Sequence, residues 1–309
     1  MFPSLDDLAQ YVPLGLAVGA VYGMSGVGIV VLYRTTGVIN FAYGAIGALG
    51  AFIAWQLMNE TSWCPDWLAY LVCVAFGGVF TLLYGLLFGA VFAGRDPLVK
   101  AAATLGLMLM VLAYMSWQWP VNQVRSVSLP SDRWHDFGYQ IGVVRVSWTQ
   151  ILALAFAIGL TAFTTIFLRV TKLGTAMRAL ADDREMSATL GVPVRRVEAS
   201  AWFVSGLVCG VVGLILPSLL YSLEAVTLTF LVISALAAAL IGRLQSLWVT
   251  LTAALVIGVV ESCLQAFSTW PTLEQPIAQY RAMTPFALAI IGLLYLARRR
   301  EVVVSRVAR

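Results

Sequence analysis

The feature that most limits the fold of this chain is a series of long apolar runs. About nine such runs occur along the 309 residues, each near the roughly 20 residues that a helix needs to cross a bilayer core about 30 Å thick. Since 61% of the residues are hydrophobic and only 11% are charged, most of the protein surface must face lipid. The runs are continuous rather than alternating, which favours helices over a β-barrel. The sequence therefore predicts an all-α, polytopic membrane protein with about eight or nine transmembrane helices.

The distribution of basic residues predicts the orientation of these helices. We place the spans at 12–33, 38–58, 67–93, 98–117, 148–170, 199–221, 225–241, 247–267 and 276–297. Of the 19 basic residues, 15 then fall on one side and 4 on the other, namely Arg125, Arg133, Arg145 and Arg281. The positive-inside rule makes the first side cytoplasmic. We therefore predict one transmembrane domain over 1–309, an external N-terminus, a cytoplasmic C-terminus and an external loop at 118–147.

Glycines in the first span predict a close helix contact. The segment GLAVGAVYGMSGVG places Gly15, Gly19 and Gly23 one turn apart on the same helix face. Missing side chains on one face let a second helix approach closely, as in small-xxx-small motifs. We interpret the three glycines as helix-packing residues rather than ligand contacts.

The connection between the first two spans is unusually polar for its position. Thr35, Thr36, Gly37 and Asn40 interrupt otherwise nearly continuous apolar sequence. Such an interruption is tolerated at membrane depth only when it is buried in protein or lines a cavity. A short cytoplasmic turn is the alternative, and the sequence leaves both interpretations open.

Two segments favour the hypothesis of an inverted repeat. GVINFAYGAIGALGAF at 37–52 has a counterpart in AVTLTFLVISALAAAL at 225–240, and each follows a glycine-rich span. The predicted topology gives these two glycine-rich spans opposite directions. Opposite directions are what an inverted-repeat transporter requires.

A few polar side chains lie inside predicted spans, where they are costly and need a role. Glu261 lies well inside the span 247–267, and Gln265 follows one helical turn later. These residues either line a translocation pathway or make an interhelical hydrogen bond that fixes packing. We assign Asn40, Glu261 and Gln265 to a candidate pathway and favour the packing role for Glu261. No metal site is predicted, because His135 is the only histidine.

The longest strongly charged stretch is 171–198, TKLGTAMRALADDREMSATLGVPVRRVE. Good helix formers over 175–190, followed by Gly191 and Pro193, predict a single amphipathic helix with Gly191 at the C′ position. Arg178 and Asp182 stand four residues apart on its charged side. At about 27 residues the stretch exceeds a minimal connection, which favours a docking role on the cytoplasmic side.

This charged stretch resembles the cytoplasmic segment of permease subunits of branched-chain amino acid ABC importers. The segment GVINFAYGAIGALGAF resembles the N-terminal part of the same family, and the chain is similar to the shorter of its two permease types over nearly its whole length. The resemblance implies that 171–198 is a coupling segment that contacts an ATPase, through residues matching Gly174, Arg178, Ala179, Asp182, Ala188, Leu190 and Gly191. It also implies a multi-pass protein of the bacterial cytoplasmic (inner) membrane.

The same resemblance implies partners, because the chain lacks an ATP site of the usual kind. A Walker A motif needs a Gly-Lys pair followed by Ser or Thr, whereas Lys100 and Lys172 follow Val99 and Thr171. We expect no cofactor on this chain, with ATP and Mg²⁺ held by two ABC ATPase subunits. A second permease subunit, an external substrate-binding protein and membrane lipid complete the expected partners, and no nucleic acid is expected.

The predicted function is therefore transport rather than catalysis. Branched-chain amino acids or related small polar solutes are the implied substrates, and alternating access driven by ATPase closure is the implied mechanism. The alternative is a secondary transporter or channel that works without an ATPase. That alternative would need intramembrane ion or proton ligands, of which Glu261 is the one acidic example.

Overall fold

The computed structural model describes residues 5–61, 64–92, 95–120, 125–127, 129, 139–141, 144–267 and 283–294. Its α-helices are α1 (Leu5–Thr36), α2 (Tyr43–Glu60), α3 (Asp66–Val91), α4 (Pro97–Gln118), α5 (Trp148–Val170), α6 (Lys172–Asp182), α7 (Arg184–Thr189), α8 (Val194–Leu220), α9 (Ala225–Ile241), α10 (Leu247–Phe267) and α11 (Thr284–Leu294). Two short antiparallel strands, β1 (Tyr139–Ile141) and β2 (Val144–Val146), lie between α4 and α5.

The predicted all-helical membrane class is confirmed, while the number of crossings is not. In the described part of the chain, six helices are long and apolar enough to span a bilayer, namely α1, α3, α4, α5, α8 and α10. Helices α9 and α11 are apolar but shorter. Helix α2 has 18 residues and ends in the polar sequence Asn59-Glu60. The predicted eight or nine crossings therefore remain a prediction that depends on these three shorter helices.

The bundle has a central and a peripheral group of helices. The residues of α2 from Tyr43 to Phe52 are all buried, as is nearly all of α1 between 15 and 32. Helices α3, α4 and α5 instead expose large apolar side chains, among them Leu87, Met110 and Phe163. Such exposure is typical of surfaces that face lipid.

The second helix begins at Tyr43, five residues after the approximate start predicted for that span at residue 38. Gly37 has a positive φ of 69° and donates its N–H to the Tyr33 carbonyl, which ends α1. The next residues form a buried link held by α4, since the Thr104 hydroxyl donates to the Ile39 carbonyl and accepts from the Phe41 N–H. Thr35 and Thr36 thus end α1, and Asn40 lies in a short packed link with no helix of its own.

Helices α1 and α10 cross at very short distance because glycines line the contact. A Cβ on Gly19 would lie 2.7 Å from the Ala254 carbonyl oxygen, and one on Gly15 would lie 2.7 Å from the Val259 Cα. Gly23 faces the side chain of Leu251, whose Cδ1 would lie 2.5 Å from a Cβ at that position. All three glycines interpreted as packing residues therefore lie against α10.

Helices α3 and α8 form a matching glycine crossing. A Cβ on Gly206 would overlap the carbonyl oxygen of Gly77, and one on Gly210 would lie 2.6 Å from the Val74 Cα. Main-chain atoms on the partner helix block both positions, so neither can gain a side chain without separating the helices.

These two crossings are related by an internal two-fold pattern. The glycine spacing of α1, GAVYGMSG at 19–26, is repeated in α8 as GLVCGVVG at 206–213. Exchanging α1, α2 and α3 with α8, α9 and α10 converts three helix pairs into three others. The pair α1–α10 becomes α8–α3, α2–α8 becomes α9–α1, and α2–α3 becomes α9–α10. All six pairs are in contact. The shared spacing and exchangeable contacts support the inverted-repeat hypothesis.

The directions of the two halves also fit that hypothesis. The Ser205 hydroxyl near the middle of α8 donates to the Gly28 carbonyl in the second half of α1 (3.1 Å). At the other end, Val18 of α1 and Leu216 of α8 line one cavity. Helices α1 and α8 therefore run in opposite directions.

Candidate functional site

The charged stretch folds as two helices rather than the single helix predicted over 175–190. Asp183 separates them with an extended backbone at φ −151° and ψ 112°. Its N–H closes α6 by bonding the Ala179 carbonyl, and its carboxylate caps α7 by accepting from the Met186 N–H (2.9 Å). Aspartate favours an N-cap over a helix interior, which is the physical reason for the break. Helix α8 then begins at Val194, five residues before the predicted start of that span.

The end of α7 follows the prediction. Gly191 has φ 85°, and its N–H bonds the Ala188 carbonyl, while the Val192 N–H bonds the Ser187 carbonyl. Only a residue without a Cβ adopts this left-handed conformation at no steric cost. Gly191 thus reverses the chain between α7 and α8.

Helix α6 is fixed to the bundle by its inner face. Met177 and Leu180 are buried in a cluster that includes Leu168 of α5 and Val197 of α8. Gly174 lies against the end of α5, where a Cβ would be 2.5 Å from the Leu168 Cα. Motion of α6 would therefore be passed directly to α5 and α8, because packed interiors transmit strain.

Helix α7 and the turn after it present an outer face with exposed apolar side chains. Met186 is 60% exposed and Leu190 is 77% exposed, next to the exposed Ala188 and Gly191. We call Asp182, Met186, Ala188, Leu190 and Gly191 the docking face. Exposed apolar residues in a charged segment outside the membrane spans are typical of a protein–protein contact.

The residues predicted to couple to an ATPase divide between these two faces. Asp182, Ala188, Leu190 and Gly191 are exposed on the docking face, whereas Gly174 is buried against α5. Ala179 and Arg178 are half-buried, and the Arg178 Nε has no hydrogen-bond partner in the described part of the chain. Met186 was missed by the sequence reasoning, which treated 175–190 as one helix and so did not separate the face of α7 from that of α6.

An ion pair ties α7 to the start of α8. The Arg184 guanidinium lies 2.5 Å from a Glu198 carboxylate oxygen, and the Glu198 side chain is only 17% exposed. Partial burial removes some of the solvent screening that makes surface pairs weak. Sequence reasoning missed Glu198 because the chain reversal at Gly191 creates the contact.

An inner cavity of about 290 Å³ lies beside this ion pair. Its walls come from the end of α1, from α3 and α8, and from Lys100 at the start of α4. Phe88 packs against Trp202 with ring centroids 5.9 Å apart and forms the aromatic wall. The cavity is thus apolar on one side and charged on the other.

An outer cavity of about 550 Å³ lies at the opposite end of the bundle between α1, α8, α9, α10 and α11. Glu261 and Gln265 line it together with Ser234 and Ser262, and the Tyr22 hydroxyl donates a 3.0 Å hydrogen bond to Glu261. Glu261 therefore makes the interhelical hydrogen bond of the packing interpretation and also lines a cavity.

The structure brings Glu261 and Gln265 together but places Asn40 elsewhere. Asn40 is buried in the link after α1, and the 14 residue steps from Tyr22 to Thr36 span about 21 Å of helix. Its side-chain oxygen accepts from the Ala42 N–H, while the Nδ2 has no partner in the described residues. The three candidate pathway residues thus do not form one site.

Removing the Tyr22 hydroxyl tests the role of Glu261. In Tyr22→Phe we expect the free energy of unfolding to fall by about 1 kcal/mol, the typical net value of one hydrogen bond. Thermal unfolding in detergent measures this loss. Tyr33→Phe removes a hydroxyl about three turns further along α1 and serves as the control. Unchanged stability in Tyr22→Phe would contradict the packing role.

Long apolar helices, glycine-lined crossings and one amphipathic segment between two helices define this chain as a multi-pass helical membrane protein. The chain belongs to the family described as branched-chain amino acid transport system / permease component, whose model matches residues 12–297. Membership identifies it as a membrane transport subunit rather than an enzyme.

Curated relatives agree with this family. The chain is 24% identical over 300 residues to the high-affinity branched-chain amino acid transport system permease protein LivH of Salmonella typhimurium, covering 91% of each chain. It is 26% identical to the corresponding protein BraD of Pseudomonas aeruginosa, covering 95% of each chain. A probable branched-chain amino acid transport permease protein LivH of Methanocaldococcus jannaschii is 26% identical over 76% of this chain and 74% of its own length.

Proposed function

We propose that this chain is the membrane-spanning permease subunit of an ATP-driven importer for branched-chain amino acids or related small polar solutes. The observation that carries the proposal is the family match over 12–297, together with relatives whose names specify branched-chain amino acid transport. ATP and Mg²⁺ would be held by two separate ABC ATPase subunits. A second permease subunit and an external substrate-binding protein complete the assembly.

The docking face is where the ATPase would drive the permease. Its exposed apolar side chains, Met186 and Leu190, offer contact area outside the spans. Helix α6, fixed by Met177 and Leu180, and the Arg184–Glu198 pair connect this face to α5 and α8. ATPase closure shifts the equilibrium between outward-open and inward-open states only if the docking face contacts the ATPase differently in each state.

The proposed orientation follows from charge and places the two cavities on opposite sides. The coupling segment 171–198 is cytoplasmic, the N-terminus and the loop 118–147 are external, and the C-terminus is cytoplasmic, in the bacterial cytoplasmic membrane. Glu261 and Gln265 then lie on the external side, where they provide polar groups on the pathway, and Asn40 lies on the cytoplasmic side.

Reconstitution with the partner subunits tests the proposal. The chain is co-expressed with its ATPase and second permease, purified and placed in liposomes with the binding protein. We expect leucine, isoleucine or valine to stimulate ATP hydrolysis and to be taken up only with ATP. Uptake driven by an ion gradient without the ATPase would instead favour a secondary transporter.

Variants of the coupling segment test the ATPase contact separately from membrane insertion. In Asp182→Ala and Arg178→Ala we expect substrate-stimulated ATP hydrolysis to fall by about fivefold or more, a loss of about 1 kcal/mol of coupling. The chain should still insert and purify. Arg169→Ala, an exposed cation at the end of α5, is the control. Normal stimulation in both segment variants would remove the coupling assignment.

A further inference from the structure

The inner cavity opens towards the surface of α3 that faces the membrane. Gly89 lines the cavity, is exposed, and has no atom within 4 Å of the position a Cβ would occupy. On the same side of α3, three residues before Gly89, Leu86 is 50% exposed. A lipid acyl chain lying over Gly89 would therefore extend directly into the hydrocarbon of the bilayer.

The inner wall of the cavity is rigid and apolar. Trp202 is packed so closely on Gly85 that a Cβ there would overlap the indole ring. Phe88 contacts both Trp202 and Phe92 with tilted rings, whose centroids are 5.9 Å and 4.8 Å away. This wall offers contact area for methylene groups and few polar partners.

The charged end of the cavity carries a net positive charge. Arg184 and Glu198 neutralise each other as an ion pair. Lys100 lies near enough to interact electrostatically with Glu198 but makes no ion pair within 4.0 Å in the described residues. Two cationic side chains therefore face one carboxylate, and the remaining positive charge would attract one further anion.

The outer cavity offers a comparison within the same molecule. It is bounded by α1, α8, α9, α10 and α11, whereas the inner cavity is lined from α1, α3, α4, α7 and α8. Its lining includes Glu261 and no lysine or arginine in the described part of the chain. Of these two cavities, only the one on the predicted cytoplasmic side has lysine or arginine in its described lining.

We propose that the inner cavity binds an anionic phospholipid of the cytoplasmic leaflet. The headgroup phosphate lies between Lys100 and Arg184, and the start of an acyl chain lies over Gly89 against Phe88 and Phe92. Basic pockets between helices on the cytoplasmic side recognise anionic headgroups in this way, through charge at the rim and apolar contact below it. The proposal does not depend on the transported substrate.

Lipid retention tests this site directly. The full-length chain is placed in nanodiscs with equal amounts of phosphatidylglycerol and phosphatidylcholine, and retained lipids are counted by native mass spectrometry. We expect selective retention of phosphatidylglycerol, reduced about fivefold in Lys100→Gln, the typical effect of one basic residue near an anionic membrane surface. Gly89→Leu should also reduce lipid retention, because the added side chain would occupy the cavity. The protein should still fold, since the surroundings of Gly89 are open.

Two controls separate the site from general membrane effects. Arg169→Gln removes a cation on the same predicted side outside the cavity, and Gly159→Leu adds a side chain to an exposed helical glycine with equally open surroundings. Both should retain lipid as the unchanged chain does. Equal retention of the two lipids would overturn the proposal, and so would full retention in Gly89→Leu. Release of the lipid by excess inorganic phosphate would also overturn it, because the site would then bind phosphate alone.

Discussion

Leu190→Asp is expected to separate the permease from its ATPase. Leu190 is 77% exposed at the end of α7, and burial of such a side chain in an interface contributes about 1.5–3 kcal/mol. An aspartate there removes this contribution and adds the cost of burying an unpaired charge. Affinity should therefore fall by at least a hundredfold, about 2.7 kcal/mol or more. Co-purification of the ATPase with the tagged permease measures the loss.

The control for this experiment is Thr175→Asp, which adds the same charge at an exposed position of α6 outside the docking face. Its ATPase content should match that of the unchanged chain. Met186→Asp should behave like Leu190→Asp, because both side chains belong to the docking face. If Leu190→Asp and Met186→Asp retained the full amount of ATPase, the docking face would be wrongly assigned.

Gly206→Leu is expected to prevent folding of the bundle. A Cβ at this position would overlap the Gly77 carbonyl oxygen, and main-chain atoms have no alternative rotamer to adopt. Overpacking in a core typically costs about 1–3 kcal/mol, and separating two helices adds the loss of their remaining contacts. We expect folded yield, measured by size-exclusion chromatography of a fluorescent fusion, to fall by about tenfold.

The internal two-fold pattern makes this prediction sharper. Gly19 is the counterpart of Gly206 in the repeated glycine spacing, and its Cβ would lie 2.7 Å from the Ala254 carbonyl oxygen. Gly19→Leu should therefore fail to fold as Gly206→Leu does. Gly159→Leu, which has open space around its Cβ, should keep normal yield. Normal yield for either crossing variant would contradict the close helix approach.

Local chemistry explains which parts of the fold could be predicted. The lengths of the apolar runs predicted the helices, and the spacing of Gly15, Gly19 and Gly23 predicted a packing face. Both features depend only on residues within one helix. Gly191 could be placed after α7 because a C′ residue needs a positive φ. Asp183 was misjudged because its neighbours are good helix formers, whereas its own carboxylate stabilises a helix start.

The candidate sites depended more on contacts between distant segments. Glu261 attracted notice as a carboxylate inside an apolar run, but only the folded bundle shows its hydrogen bond from Tyr22. Glu198 looked like one charge among many until the turn at Gly191 brought Arg184 against it. The sequence offered no signal for either partner, because residue spacing says nothing about which helices become neighbours.

The amino-acid sequence by itself determined that this chain is a helical membrane protein with a charged segment on one side. Those properties follow from the transfer free energies of individual side chains and from the bias of basic residues, which act without knowledge of the fold. Only the tertiary structure decided that α1 packs on α10 and α3 on α8, that the charged segment has a buried and an exposed face, and that Lys100 shares a cavity with Arg184. These contacts join residues far apart in the chain, and they form because close packing of complementary glycine surfaces selects one arrangement of helices.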